Sequence, residues 1–231
     1  MPRWWLDERA HAGPEHLDPA YVVGYDTKAG YDPSDDVAAL RARGVGAESV
    51  VVDLGAGTGA FTTAIAPNYG HVIAVDISPA MVAALRRRVD TLDLDNVTVV
   101  EAGFLSYEHR GAPVDAVFTR NALHHLPDFW KAIALRRIAA MLRPDGVLRL
   151  HDLVYDFAPD EVDERIEAWI DGAVDDPAVG FTGDELAEHV RTEFSTYSWL
   201  LELMLERAGF EVIDRSFRRG AYGAYTCARR G

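Results

Sequence analysis

Between residues 50 and 61 the chain runs Val50-Val51-Val52-Asp53-Leu54-Gly55-Ala56-Gly57-Thr58-Gly59-Ala60-Phe61, and no other stretch constrains the fold as tightly. A β-branched run bounded by glycine reads as a buried strand of a parallel sheet. Glycines at alternate positions admit positive φ and let the backbone come close to a ligand. A helix is expected from about Thr58 to Pro67, so the loop sits at a helix N-terminus. That is the layout of a nucleotide or nucleoside site at the carboxyl end of the first strand of a doubly wound sheet.

Charge narrows the choice of ligand. Gly55, Gly57 and Ala60 fit the loose dinucleotide spacing G-x-G-x-x-A. Asp53, however, lies two residues before the first glycine, where its charge opposes a pyrophosphate drawn to the helix N-terminus. It attracts a ligand carrying an ammonium group and a sulfonium centre. S-adenosylmethionine is such a ligand, and the segment Asp53 to Gly59 resembles motif I of the class I S-adenosylmethionine-dependent methyltransferases, small-molecule branch.

Further segments follow in order. His71-Val72-Ile73-Ala74-Val75-Asp76 reads as a second strand whose terminal Asp76 lies about twenty residues after the first glycine, where a carboxylate accepts both ribose hydroxyls. Ser78 and Pro79 are a helix N-cap and first helical residue, with Ile77 and Met81 flanking an adenine ring. Val97 to Phe104 reads as strand three and its exit loop, including Gly103. The resemblance implies an acidic residue after this glycine to bind the adenine amino group; this chain has Phe104 instead. Val114 to Arg120 reads as strand four, followed by Asn121 and the His124-His125-Leu126-Pro127-Asp128 segment, which resembles motif IV. A helix over about Phe129 to Leu142 and a Pro144-Asp145-Gly146 turn lead into strand five, ending near His151-Asp152.

The chain divides into an N-terminal cap (1–44), a cofactor-binding core (45–155), a helical insertion (156–194), and a last helix with a closing hairpin (195–231). In the cap, Tyr21, Tyr25 and Tyr31 crowd a glycine-interrupted stretch. The resemblance implies a lid in which Tyr21 and Tyr25 close the pocket and Lys28 approaches the cofactor carboxylate. In the insertion, Val162, Ile166, Trp169 and Ile170 form a helical apolar stripe, and Thr182 with Glu185 forms a capping box. Gly209 stops a helix, and two strands follow too closely to be parallel. The expected fold is therefore α/β: a Rossmann-like, doubly wound, mostly parallel seven-stranded sheet with an antiparallel C-terminal hairpin.

A net charge of −14 argues against a nucleic-acid substrate. No apolar run suits a bilayer, no signal peptide is read, and the single Cys227 fits a reducing cytoplasm. No metal-ligand constellation shows at credible spacing, and the oligomeric state is unreadable.

The resemblance implies methyl transfer from S-adenosylmethionine to an oxygen or nitrogen of a small acceptor. His125 is the first candidate for the base, because it aligns with an active-site histidine of phosphoethanolamine-type members through Arg120-Asn121-Ala122-Leu123-His124-His125. His124 is the alternative, and His151 with Asp152 is a candidate second polar site for substrate, joined by Tyr21. Two other classes stay open at this point. A nicotinamide-dependent oxidoreductase would need a pair such as Tyr-x-x-x-Lys, and Tyr21 and Lys28 have the wrong spacing. A cofactor-binding partner protein without catalysis would keep the same motifs.

Overall fold

The computed structural model describes residues 2–231. After short 3-10 turns at Glu8–His11 and Glu15–Leu17, helices α1 (Pro19–Ala29) and α2 (Ser34–Ala42) form the N-terminal part. Then β1 (Val50–Leu54), α3 (Ala60–Ile65), β2 (His71–Asp76), α4 (Pro79–Thr91), β3 (Val97–Glu101), β4 (Val114–Arg120), α5 (Asp128–Met141) and β5 (Leu142–Tyr155) alternate. Helices α6 (Val162–Asp171) and α7 (Gly183–Thr192), the two-residue β6 (Thr196–Tyr197), α8 (Ser198–Ala208), β7 (Phe210–Arg218) and β8 (Tyr222–Arg229) complete the chain. The main sheet has the order β3-β2-β1-β4-β5-β8-β7, with β6 paired to β5. β1 to β5 are mutually parallel, and β8 runs antiparallel between β5 and β7.

The strands are apolar on both faces because helices cover both. Leu40 of α2 and Phe61 and Ile65 of α3 pack with Val51, Val72 and Phe118 on one face. Leu135 and Ile138 of α5 and Leu201 and Leu205 of α8 pack with Val52, Val117 and Leu148 on the other. Every parallel strand thus delivers its carboxyl end to one edge, where the acidic strand termini Asp53 and Asp76 come together.

Two local expectations shift for physical reasons. The helix after the glycine loop begins only at Ala60, because Gly59 is left-handed (φ 87°). It ends at Ile65 in a tighter turn over Ala66–Asn68, where Pro67 has no N–H to donate. In the Pro144-Asp145-Gly146 turn the positive φ falls on Asp145 (59°), not on the glycine. Gly146 serves for space instead: a Cβ there would stand 2.8 Å from the carbonyl oxygen of Arg143.

Candidate active site

The glycine loop forms one wall of a cleft. Gly55, Gly57 and Gly59 all have positive φ (79°, 55° and 87°). A Cβ on Gly55 would come 2.5 Å from that of Ala122, so the loop after β4 closes directly onto the loop after β1. The amide of Gly57 donates to Asp76 Oδ2 (2.7 Å) and that of Ser78 to Asp76 Oδ1 (2.8 Å), which fixes the carboxylate between two loops. One part of the cleft is lined by Asp76, Ile77, Met81, Gly103, Phe104, Asn121 and His125. The adjoining part is lined by Asp53, Tyr31 and Phe118, with Gly55, Gly57, Tyr25 and Arg120 common to both.

Three carboxylates face this cleft while nearly excluded from water: Asp53 (1% exposed), Asp76 (9%) and Glu8 (8%). Burial pushes the Asp53 pKa up to about 7; Thr62, donating at 2.5 Å, opposes that shift, and the charge of Asp76 adds to it. Burial also raises Asp76 and Glu8 above the ordinary carboxylate range. Buried acids with raised pKa values that line one cleft mark a candidate ligand site.

The cap reaches into the same cleft. Tyr25 lines it from α1, and the His16 ring lies against Tyr25 (5.7 Å between centroids) and His125 (5.4 Å). Ser78 Oγ donates to the His16 carbonyl (2.6 Å), and Arg88 pairs with Asp26 (2.8 Å). Tyr21 packs behind, on His16 and Tyr25. Lys28, expected at the cofactor carboxylate, is positioned elsewhere. It forms an ion pair with Glu185 of α7 and sits 5.1 Å from the Phe181 ring centroid. Arg120, stacked 4.2 Å over the Tyr31 ring, is a cation on the same part of the cleft as Asp53.

The two histidines have opposite surroundings. His124 is held through Nδ1 by Asp152, and its Nε2 stands 2.9 Å from Glu193. Burial disfavours its cation, but the two carboxylates prevail and hold its pKa at about 9. For His125, burial and the neighbouring His124 charge act together and hold its pKa well below the ordinary value. His189 also meets Glu193 (2.8 Å), whose carboxyl burial would raise but its imidazole partners hold low. The sequence shows no metal constellation, yet His124, His125 and Glu193 bring ligand atoms within 4.8 Å of one another.

His151 and Asp152 do not form one polar site. Adjacent strand residues point to opposite faces. His151 meets Asp36 of α2 (2.8 Å), together with Arg149 (2.7 Å), on one face. Asp152 serves the His124 loop on the other.

Residues 51–146 match the family model of a methyltransferase domain. An uncharacterized methyltransferase of Exiguobacterium sibiricum is 32% identical over 164 residues, 71% of this chain and 69% of that protein. The chain belongs to the class I S-adenosylmethionine-dependent methyltransferases. A carboxy-S-adenosyl-L-methionine synthase of Pectobacterium atrosepticum is 31% identical over 71% of this chain and 65% of its own length. Across the curated relatives, the matched share of their length runs from 38% to 81%. The solved structure of a cyclopropane synthase from Mycobacterium tuberculosis aligns over 99% of this methyltransferase and 100% of that chain with a TM-score of 0.69 at 17% identity, a likeness of fold.

The cofactor is thus S-adenosylmethionine, and the residues present fit it. The cradle needs glycine at 55, and the flanking acids are matched to a ligand with an ammonium group and several N–H and O–H donors. Membership of the methyltransferase family disposes of the nicotinamide reading. Sequence reasoning did not single out Glu8 or Glu193, and it quoted Arg120 only within the segment leading to His125. Arg120 was findable from its position at the end of β4. Glu193 was findable from its i,i+4 spacing to His189, but Glu8 left no local signal.

Proposed function

We propose that this methyltransferase transfers a methyl group to an oxygen or nitrogen of a small acceptor, with His125 as the general base. The observation that carries the reading is a half-buried imidazole on the cleft wall, at the end of the loop after β4, with a carboxylate beside it. In this reading Asp53 holds the cofactor ammonium and Arg120 its carboxylate. Asp76 accepts from the ribose hydroxyls while Gly55 and Gly57 let the backbone approach. Ile77, Met81, Gly103 and Phe104 enclose the adenine, and Asn121, with φ 48° and its amide donating to the His151 carbonyl (2.9 Å), shapes the loop below the sulfonium. When bound, the cofactor supplies a methyl group already activated for in-line displacement.

The chain's remaining task is to orient the acceptor and take its proton. His125 takes that proton at an unprotonated ring nitrogen. Glu193, 3.7 Å from His125 Nδ1, stabilises the imidazolium that results. A cleft covered by the cap, and a net charge of −14, support a small acceptor over a nucleic acid. No helix among the described residues is long and apolar enough to cross a membrane, and buried Cys227 is consistent with the cytoplasm. The test pairs calorimetry with S-adenosylmethionine, S-adenosylhomocysteine and NADH with a screen of hydroxyl and amine acceptors for S-adenosylhomocysteine release. Tight binding of both adenosyl ligands and turnover on one acceptor class support the reading. Adenosyl binding without turnover on any class reduces the protein to a cofactor-binding partner.

A further inference from the structure

The exit loop of β3 has Phe104 and no acidic side chain directly after Gly103, yet a carboxylate stands there. A Cβ built on Gly103 would lie 2.5, 2.8 and 2.9 Å from Oε1, Cδ and Oε2 of Glu8. The Glu8 carboxyl therefore fills the volume that a side chain at position 103 would occupy, although 95 residues separate the two. It is built in, not draped over. The Leu105 amide donates to Oε1 (2.9 Å), and Ser106 Oγ donates to Oε2 (3.0 Å) while accepting from the Gly103 amide (2.8 Å). The segment that carries it is pinned on both sides. Trp4 stacks on Trp130 of α5 and Trp5 meets the same ring edge-on (5.2 Å), and Arg9 pairs with Glu101 at the end of β3.

An ionised carboxylate has about four acceptor positions, and the loop uses two of them. Glu8 itself lines the cleft, together with Asp76, Ile77, Met81 and Phe104. With Asp76 at the ribose and Asp53 at the ammonium, the remaining hydrogen donor of S-adenosylmethionine is the exocyclic amine of its adenine. We propose that Glu8, delivered from the N-terminal segment, is the acceptor for that amine and sets adenine specificity in place of a residue on the β3 loop. The inference rests on the cofactor placement proposed above.

Hypoxanthine is the discriminating probe, because it presents a carbonyl oxygen where adenine presents the amine. A carboxylate accepts from one and repels the other, and sites that lose such a partner reject the analogue strongly. Binding of S-adenosylhomocysteine and of S-inosylhomocysteine is measured by calorimetry on the full chain. The wild type is expected to prefer the adenosyl ligand by roughly tenfold to a hundredfold. In Glu8→Gln the amide can donate to the carbonyl, and the preference collapses towards unity. In Glu8→Ala it collapses as well, and Gly103→Asp added to Glu8→Ala restores it, since the space the carboxyl vacates accepts the new side chain. The ratio within each variant cancels any general loosening of the fold. An unchanged ratio in Glu8→Gln and Glu8→Ala, with the adenosyl ligand still bound, overturns the role of Glu8 and leaves it a tie between segment and loop. Failure of the wild type to bind either ligand overturns the cofactor placement itself.

Discussion

Asp152 accepts hydrogen bonds from the backbone amides of Leu123 (2.8 Å) and His124 (3.1 Å) while its other oxygen holds the His124 ring. One buried carboxylate on β5 thus sets both the path of the loop after β4 and the charge of its first histidine. The folded-state pKa of His124, about 9, is above the ordinary 6.5. Its contribution to stability is therefore fully present below about pH 6.5 and is lost as pH rises through about 9. The melting temperature should fall across that window. Asp152→Ala should cost about 3–5 kcal/mol, as breaking one side of a buried pair does, and flatten the decline. Denaturant melts at pH 6, 7.5 and 9 check both, and a wild-type stability that does not fall between pH 6.5 and 9 refutes the cationic His124.

Asp53 gives the opposite handle, through the cofactor. Its carboxyl is raised to about 7, so the free protein holds a proton there at mildly acidic pH that an ammonium ligand must displace. Affinity for S-adenosylmethionine should rise with pH from 5 to 7, by up to about tenfold per unit, and level off above. Between roughly pH 4 and 7 the empty fold should lose stability from this group as pH rises, since the folded state binds the proton more tightly than the unfolded chain. Asp53→Asn should weaken binding by about tenfold or more and abolish the pH slope. Titrations in buffers of different ionisation enthalpy read the released proton directly.

Lys28 bridges α1 to α7 through Glu185. Lys28→Ala should therefore raise amide hydrogen exchange across Pro19–Ala29 while changing cofactor affinity less than about threefold, because a partly exposed pair contributes little beyond holding its elements together. A loss of affinity beyond tenfold would instead return Lys28 to the cofactor carboxylate.

The motifs that lie within one strand–loop–helix step were legible in the sequence. Asp53, the glycines and Asp76 are local because the backbone itself builds the cradle, and residue type and spacing report backbone conformation directly. The antiparallel closing strands were legible because β7 and β8 are too close in sequence for a crossover. What was not legible depends on tertiary approach. Glu8 reaches Gly103, and Glu193 reaches His124, across the whole chain, and no periodicity encodes either contact. The pairing of Lys28 with Glu185 was not legible because a cation near a pocket has several acids to choose from, and Glu185 belongs to a helix whose docking the sequence does not specify. His151 and Asp152 were joined by adjacency, although strand alternation separates them.

His125→Ala separates binding from chemistry. The ring lines the cleft but neither donates to nor neutralises any of the three acids around the cofactor loop. Affinity for S-adenosylhomocysteine should stay within about threefold of wild type. Turnover on a hydroxyl acceptor should fall by about 10²–10⁴, the usual contribution of a positioned base. At saturating cofactor the wild-type rate should show no loss of activity from pH 8 down to the ordinary histidine range, because burial and the His124 charge keep His125 unprotonated there. On an amine acceptor the decrease with pH should instead follow the amine's own protonation. Steady-state rates from pH 5.5 to 8.5, with the wild type and His125→Ala on both acceptor types, decide it. A His125→Ala enzyme with wild-type turnover on the hydroxyl acceptor removes His125 as the base, and a rate that titrates near 6.5 contradicts its depressed pKa.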